Sequence, residues 1–144
     1  EWVFKNNKPA GATTNTLPSA KCLYMSIRGT GGALAVAAIV TKNREKPEAF
    51  EKNFMVAILD ECGLALEKEM SKAYRASFLG RETEVLMEEP VEIGGARYMV
   101  GHTKEYVKAA IRLDGRDPKA LKNTFVSGIL GDFLTEEILL LNEK

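Results

Sequence analysis

Cysteine, histidine and tryptophan are scarce in this 144-residue sequence, which has two cysteines, one histidine and one tryptophan. Cys22 and Cys62 lie forty positions apart, so they match no redox or zinc spacing and cannot hold an iron–sulfur cluster unaided. We expect two reduced, partly buried thiols, with a disulfide between them as the alternative. His102 has no second histidine beside it, and the sequence therefore predicts no metal site.

Long hydrophobic runs are also absent. The longest uninterrupted apolar run is Ala33–Val40, whereas a membrane-spanning helix needs about 20 such residues. The N-terminus shows no basic start followed by an apolar core and a small-residue cleavage site. We therefore expect a cytoplasmic protein with no membrane partner. The chain begins at Glu1 and not at methionine, which indicates a fragment or processed piece of a longer protein.

The sequence has no excess of one charge, because 20 Lys and Arg balance 20 Asp and Glu. The charges are nevertheless unevenly placed. Residues 1–44 are basic overall and residues 78–144 are acidic overall, but within the acidic part Arg97–Lys122 carries seven basic residues and only three acidic ones. Such a stretch is either an anion-binding surface or an ordinary solvated face.

The first part of the chain, residues 1–45, has little regular pattern. Residues 1–20 are rich in Asn, Thr, Gly and Pro, which predicts an irregular segment. Lys21–Ile27 alternates weakly and predicts a short strand. Ala33–Val40 is apolar on all sides, which predicts a buried segment. The spacing of its apolar residues does not decide between a helix and a strand.

Residues 46–79 have a helical pattern from Pro47 to about Phe78. Gly63 lies inside it and is the expected weak point of the helix, at a cost of about 1 kcal/mol relative to alanine. Apolar side chains recur every four residues at Phe50, Phe54, Ile58, Cys62, Leu66, Met70 and Tyr74. We expect this stripe to be buried against residues 1–40, a partner protein or a second copy of the chain.

After Gly80 the apolar period changes from four to two, which predicts β-structure over residues 80–144. The expected strands are Arg81–Met87, Arg97–Val100, Tyr106–Leu113, Asn123–Leu130 and Glu136–Leu141. Gly94-Gly95 suits a tight hairpin with positive φ. Closure removes the edges of a short sheet, so we expect a small five-stranded antiparallel barrel. The predicted fold class is α+β, with an irregular N-terminal segment, a long helix and this barrel.

The predicted third strand, Tyr106–Leu113, has a composition that bears on function. Alternation places Val107, Ala109 and Ile111 on one face and Tyr106, Lys108, Ala110 and Arg112 on the other. The first face is apolar and belongs in a core. The second combines an aromatic ring with two cations, which suits single-stranded or loop RNA because cations contact phosphates and the ring stacks on a base. We interpret His102 as a turn residue that also contacts a ligand.

Three blocks of sequence in this order resemble the C-terminal TRAM domain of radical-SAM tRNA methylthiotransferases, in particular the branch that acts on threonylcarbamoyl-adenosine beside the anticodon. The blocks are Tyr74–Glu89, Gly101–Ile111 and Gly128–Leu140. The resemblance covers about residues 66–144. Upstream, the segment that ends the catalytic barrel of the family is similar at Tyr24, Ser26, Arg28, Gly29, Thr30 and Ala33.

The resemblance implies an OB-like TRAM barrel and a parent enzyme that uses iron–sulfur clusters and S-adenosylmethionine to add a methylthio group to tRNA. This chain lacks the Cys-x-x-x-Cys-x-x-Cys motif for the radical cluster, so we expect no catalysis by the chain alone. The implied partners are the anticodon stem-loop of tRNA and the missing catalytic domain. The implied RNA-binding residues are Arg97, His102, Lys104, Tyr106, Lys108 and Arg112.

Two other functions remain open from the sequence. One is a protein-interaction or oligomerisation module that uses the apolar stripe of Phe50–Tyr74. The other is a small enzyme centred on His102.

Overall fold

The computed structural model describes residues 1–41 and 45–143 and contains both helices and sheets, which confirms a mixed α and β fold. The chain divides into two compact units, Glu1–Met70 and Ser71–Lys144. Each unit has its own apolar core, and each is described separately.

The first unit contains a small antiparallel sheet. It begins with α1 (Trp2–Asn6), continues through β1 (Ala10–Gly11) and β2 (Cys22–Gly29) to β3 (Gly32–Val40), and its sheet has the order β1-β2-β3. The irregular segment expected over residues 1–20 therefore includes a short helix and a two-residue strand. The strand predicted at Lys21–Ile27 is present as β2.

The apolar run Ala33–Val40 forms most of β3, but the expectation that it is buried on all sides is wrong. Ala37 and Ile39 pack against the core formed by Leu23, Met25 and Leu59. Val40 is 80% exposed. Successive side chains of a strand point to opposite faces, and Val36, Ala38 and Val40 on the other face of β3 are exposed.

A single long helix, α2 (Ala49–Ala76), follows. Its residues in the core of the first unit are Met55, Val56 and Leu59. The predicted stripe is largely exposed, at Phe50, Phe54, Ile58, Met70 and Tyr74. Four residues turn an α-helix by about 400°, so each step of a four-residue repeat moves about 40° around the axis. Six such steps carry the stripe across several faces, and it cannot form one buried side.

The second unit contains one strand for each of the five that the sequence predicts. These are β4 (Glu82–Ile93), β5 (Ala96–His102), β6 (Lys108–Arg112), β7 (Phe125–Phe133) and β8 (Leu139–Glu143). The short helix α3 (Pro118–Leu121) lies between β6 and β7. The predicted hairpin at Gly94-Gly95 joins β4 to β5, and both glycines have positive φ, at 60° and 77°.

The five strands pair in the ring order β4-β5-β6-β8-β7, and β7 also pairs with β4, so the barrel is closed. The prediction that it is antiparallel throughout is wrong, because β6 and β8 are parallel. The reason is arithmetic. Strand direction cannot alternate around a closed ring with an odd number of strands, so at least one neighbouring pair must be parallel.

The inside of the barrel is filled by apolar side chains. The fully buried ones on the strands are Val85, Met87, Met99, Ala109, Ile111, Leu130 and Leu139. They come from every strand of the ring, as expected for a small barrel without a lumen. Among the described residues, no helix combines the length and the apolar character needed to cross a bilayer.

Candidate nucleic-acid interface

The six residues predicted to bind RNA all lie in the second unit, and four of them lie on strands, Arg97 and His102 on β5 and Lys108 and Arg112 on β6. His102 is the last residue of β5, where the sequence predicted a turn, and it pairs in register with Lys108 at the start of β6. Arg112, at the end of β6, pairs with Tyr98. Residues that pair directly lie on the same face of a sheet, so these four side chains share the outer face of the barrel.

This outer face is not a continuous row of polar groups. Lys108 and Arg112 are exposed, but Ala110 between them is fully buried. The predicted inner face is confirmed, because Val107, Ala109 and Ile111 are all buried.

Tyr106 does not lie on the strand as predicted but in a turn before it. The turn is built around Thr103, which is 4% exposed. The Thr103 carbonyl accepts from the Tyr106 amide at 3.0 Å, and the Thr103 hydroxyl oxygen accepts from the amides of Glu105 at 3.2 Å and Val107 at 3.3 Å. Tyr106 takes a left-handed φ of 60°, and its side chain is 87% exposed. The turn therefore holds the ring out in solvent.

An open groove of about 790 Å³ runs beside this turn, entirely within the second unit. Its aromatic lining residues are Phe78, Tyr106 and Phe125. Phe125 is the first residue of β7 and is 68% exposed. It pairs with Leu86 of β4, which in turn pairs with His102 of β5. The sequence interpretation missed Phe125, although its place at the start of an alternating run was a usable signal.

The groove is more acidic than basic. Its carboxylates are Glu82, Glu84, Glu88 and Glu105, and its cations are Arg81 and Lys104. One Glu88 oxygen lies 2.7 Å from His102 Nδ1. The Arg81 guanidinium stacks over the Phe78 ring, and Lys104 Nζ lies 3.7 Å from a Glu105 oxygen. Phosphate groups are therefore not favoured inside this groove.

Arginines gather elsewhere in the second unit, around a pocket of about 310 Å³ lined by Arg97, Arg112 and Arg116. Arg112 Nε lies 2.9 Å from Asp114 Oδ1, and Arg116 binds Glu143 at 2.8 Å. Arg116 was missed because the stretch from Asp114 to Pro118 reads as a connecting loop. Arg97 forms no ion pair or hydrogen bond through its side chain to the residues that the structure describes.

The predicted residues thus fall into two groups. His102, Lys104 and Tyr106 line the groove, whereas Arg97 and Arg112 line the arginine pocket. Lys108 lies beside His102 on β6. The two groups are connected along β5 and β6, and the four residue steps from Lys108 to Arg112 span about 13 Å.

Both cysteines are free thiols, so the alternative of a disulfide between them is not formed in the structure. Cys22 is half-buried and Cys62 is exposed, which differs from the expectation that both are partly buried. Iron–sulfur clusters are usually held by four cysteines or by two cysteines and two histidines, and this chain has two cysteines and one histidine, so its residues do not fit the clusters that the resemblance implies for the parent enzyme. Over residues 1–41 and 45–143, no three metal-ligating side chains of His, Cys, Asp or Glu come together.

Comparison with protein-family models finds no match for this sequence, and comparison with curated proteins finds none either.

Proposed function

We propose that the second unit binds single-stranded or loop RNA across the outer face of β5 and β6, as the TRAM-like part of a cytoplasmic tRNA methylthiotransferase. The strand order supports this. A five-stranded closed barrel whose last strand returns beside the third has the Greek-key character of the OB fold, which binds oligonucleotides on the face of its second and third strands. In this unit those strands are β5 and β6.

The observation that carries the proposal is the placement of Lys108 and Arg112. Both are exposed at the two ends of β6, on the face shared with His102 and Tyr98. Lys108 has no ion-pair partner among the described residues, and the contact of Arg112 with Asp114 uses only Nε. Both side chains can therefore reach phosphates, while the aromatic rings nearby can stack on bases.

In this proposal the chain positions its substrate and carries no chemistry of its own. The bound RNA is the anticodon stem-loop of a tRNA, and the methylthio group is added by the catalytic domain of the parent enzyme. That domain would supply the iron–sulfur clusters and the S-adenosylmethionine site. The first unit, which contains Tyr24, Arg28 and Thr30, would then be the end of that domain.

The test is the affinity of the full chain for a fluorescently labelled anticodon stem-loop, measured by anisotropy over a range of salt concentrations. We expect the logarithm of the association constant to fall linearly with the logarithm of the salt concentration. The magnitude of this negative slope should be smaller by about 0.7–0.9 for each phosphate contact removed. Lys108→Glu and Arg112→Glu should weaken binding and reduce this slope. Lys8→Glu, the same charge change at an exposed position of the first unit, is the control. Absence of binding at low salt, or an equal effect of Lys8→Glu, would overturn the proposal.

One observation favours a second function, self-association through α2. Phe50 is 80% exposed, Phe54 is 60% exposed and Ile58 is 46% exposed, so much of one side of the helix is apolar and open. Sedimentation velocity over a hundredfold range of concentration tests it. A monomer throughout the range would eliminate this function, whereas a dimer that Phe54→Glu dissociates would support it.

A further inference from the structure

We infer that the groove beside Tyr106 holds one unstacked base that carries an exocyclic amino group, and that it discriminates against uracil. This inference rests on the proposed RNA binding and adds a base-reading site to it. Three observations carry it: two exposed aromatic rings in one groove, a surplus of carboxylates there, and continuity with the Lys108 end of β6.

The aromatic rings supply the stacking surface. Tyr106 is 87% exposed and Phe125 is 68% exposed, and both line the same groove. The Tyr106 ring is presented by a turn with four hydrogen bonds to or from Thr103. Because these bonds fix the backbone that carries the ring, stacking of a base on Tyr106 does not have to order the turn.

The polar groups of the groove select the base edge. Glu84 and Glu88 are acceptors only, and His102 faces Glu88 through Nδ1 at 2.7 Å. An ionised carboxylate only accepts, so His102 Nδ1 carries the proton in this contact. The cations of the groove, Arg81 and Lys104, face the Phe78 ring and Glu105, so the groove offers more acceptors than donors to a base edge. Adenine, cytosine and guanine carry an amino group that meets this need, whereas uracil presents two carbonyl oxygens beside a single N–H.

The groove also lies where an RNA strand on the proposed face would pass. His102 lines the groove and pairs in register with Lys108, whose ammonium group is available for a phosphate. A strand held by Lys108 can therefore turn one base into the acidic groove while its phosphates remain outside. Charge separates the two parts of the nucleotide, because the groove repels phosphate and Lys108 attracts it.

The experiment uses the full chain and labelled nine-nucleotide RNAs at one fixed salt concentration. The reference is all uridine, and three others carry a single central adenosine, cytidine or guanosine. We expect the substituted RNAs to bind about tenfold more tightly, as one good hydrogen-bonded base contact provides. Glu84→Gln and Glu88→Gln should reduce this preference, and Glu92→Gln, an exposed carboxylate of β4 outside the groove, should leave it unchanged.

The stacking surface is tested separately. Tyr106→Ala should weaken binding of the adenosine-containing RNA about tenfold while leaving the salt slope unchanged, because no phosphate contact is lost. Tyr106→Phe should bind like the unchanged protein, and far-UV circular dichroism checks that both variants fold. Equal affinity for all four RNAs, with binding still weakened by Lys108→Glu, would overturn the base site and leave the RNA-binding proposal standing. Absence of binding to every RNA would overturn the RNA-binding proposal itself.

Discussion

Gly63 has a role that its helix propensity does not reveal. A Cβ atom built at this position would overlap the carbonyl group of Arg28 on β2. The helix backbone and the strand therefore meet without a side chain between them. Gly63→Ala should lower the free energy of unfolding of the first unit by about 1–3 kcal/mol, although alanine is the better helix former. Urea denaturation measures the change.

Gly31 provides the matched control for this prediction. A Cβ atom at Gly31 meets nothing within 4 Å, and its φ is not in the left-handed region. Gly31→Ala should therefore leave the stability within about 0.5 kcal/mol of the unchanged protein. If Gly63→Ala were as mild as this control, the close contact with Arg28 would be disproved.

Glu67 has a carboxyl group whose pKa is lowered by hydrogen bonds. Its carboxylate accepts from the Thr30 hydroxyl at 2.6 Å and from the Thr30 amide at 3.0 Å, and these bonds hold its pKa below the usual value of 4.5. A lowered pKa in the folded state stabilises the fold above the unfolded value, and this contribution disappears as the pH falls through the folded pKa. Thr30→Val removes the larger cause and should raise the pKa of Glu67.

The measurement is an NMR titration of the Glu67 carboxyl carbon in both proteins. The stability difference between Thr30→Val and the unchanged protein should also shrink as the pH falls below about 4.5, and it should vanish below the lowered pKa of folded Glu67, where both proteins carry a protonated carboxyl. Identical Glu67 titration curves would show that the Thr30 hydroxyl bond does not form in solution.

Among the elements, the turn from Thr103 to Val107 connects folding with the candidate site. The buried Thr103 hydroxyl is an acceptor for the amides of Glu105 and Val107. Thr103→Val keeps the shape but leaves these amides without that acceptor, which should cost about 1–3 kcal/mol in the stability of the second unit. Because the same turn presents Tyr106, RNA affinity should also fall.

Thr103→Ser is the control because it retains the hydroxyl group. It should stay close to the unchanged protein in both thermal stability and RNA affinity. Equal losses in the valine and serine variants would mean that the methyl group, and not the hydrogen bonds, supports the turn.

The strands of the second unit could be predicted from the sequence, whereas the buried side of α2 could not. A strict change of period at Gly80 was sufficient to find five strands and the hairpin at Gly94-Gly95, because alternation and turn chemistry are local properties. The prediction of which side of α2 is buried was wrong, because a four-residue repeat drifts around the helix axis. The side that faces the sheet depends on the tertiary contacts of Leu59 and Gly63. Tyr106 was assigned to a strand for a similar reason, since the Thr103 bonds that end the pattern are not visible in sequence.

For the candidate site, the sequence indicated which residue types lie near β6 but not how they divide between two places. Cations and a tyrosine near β6 were predicted from composition alone. The separation into an acidic, aromatic groove and an arginine pocket depends on which strands are neighbours in the closed ring. Phe125 joins the groove and Arg116 joins the pocket only because of that strand pairing. The same ring requires one parallel pair, which a purely antiparallel expectation had missed.

At the scale of the whole molecule, the chain contains two cores that share no residue. Leu130 is fully buried in the core of the second unit, and the single tryptophan, Trp2, lies in the first. Leu130→Ala should destabilise the second unit by about 2–5 kcal/mol through the lost contacts and the cavity left behind. The urea midpoint followed by far-UV circular dichroism should fall, whereas the midpoint followed by Trp2 fluorescence should remain the same.

The neighbouring residue supplies the comparison that makes this test decisive. Ile129 precedes Leu130 on β7, points to the opposite face and is 41% exposed. Ile129→Ala should change either midpoint far less than Leu130→Ala does, because most of its side chain is already in water. If the Trp2 midpoint fell together with the dichroism midpoint in Leu130→Ala, the two cores would unfold as one cooperative unit. The long helix α2, which includes residues of both units, would then be the element that couples them.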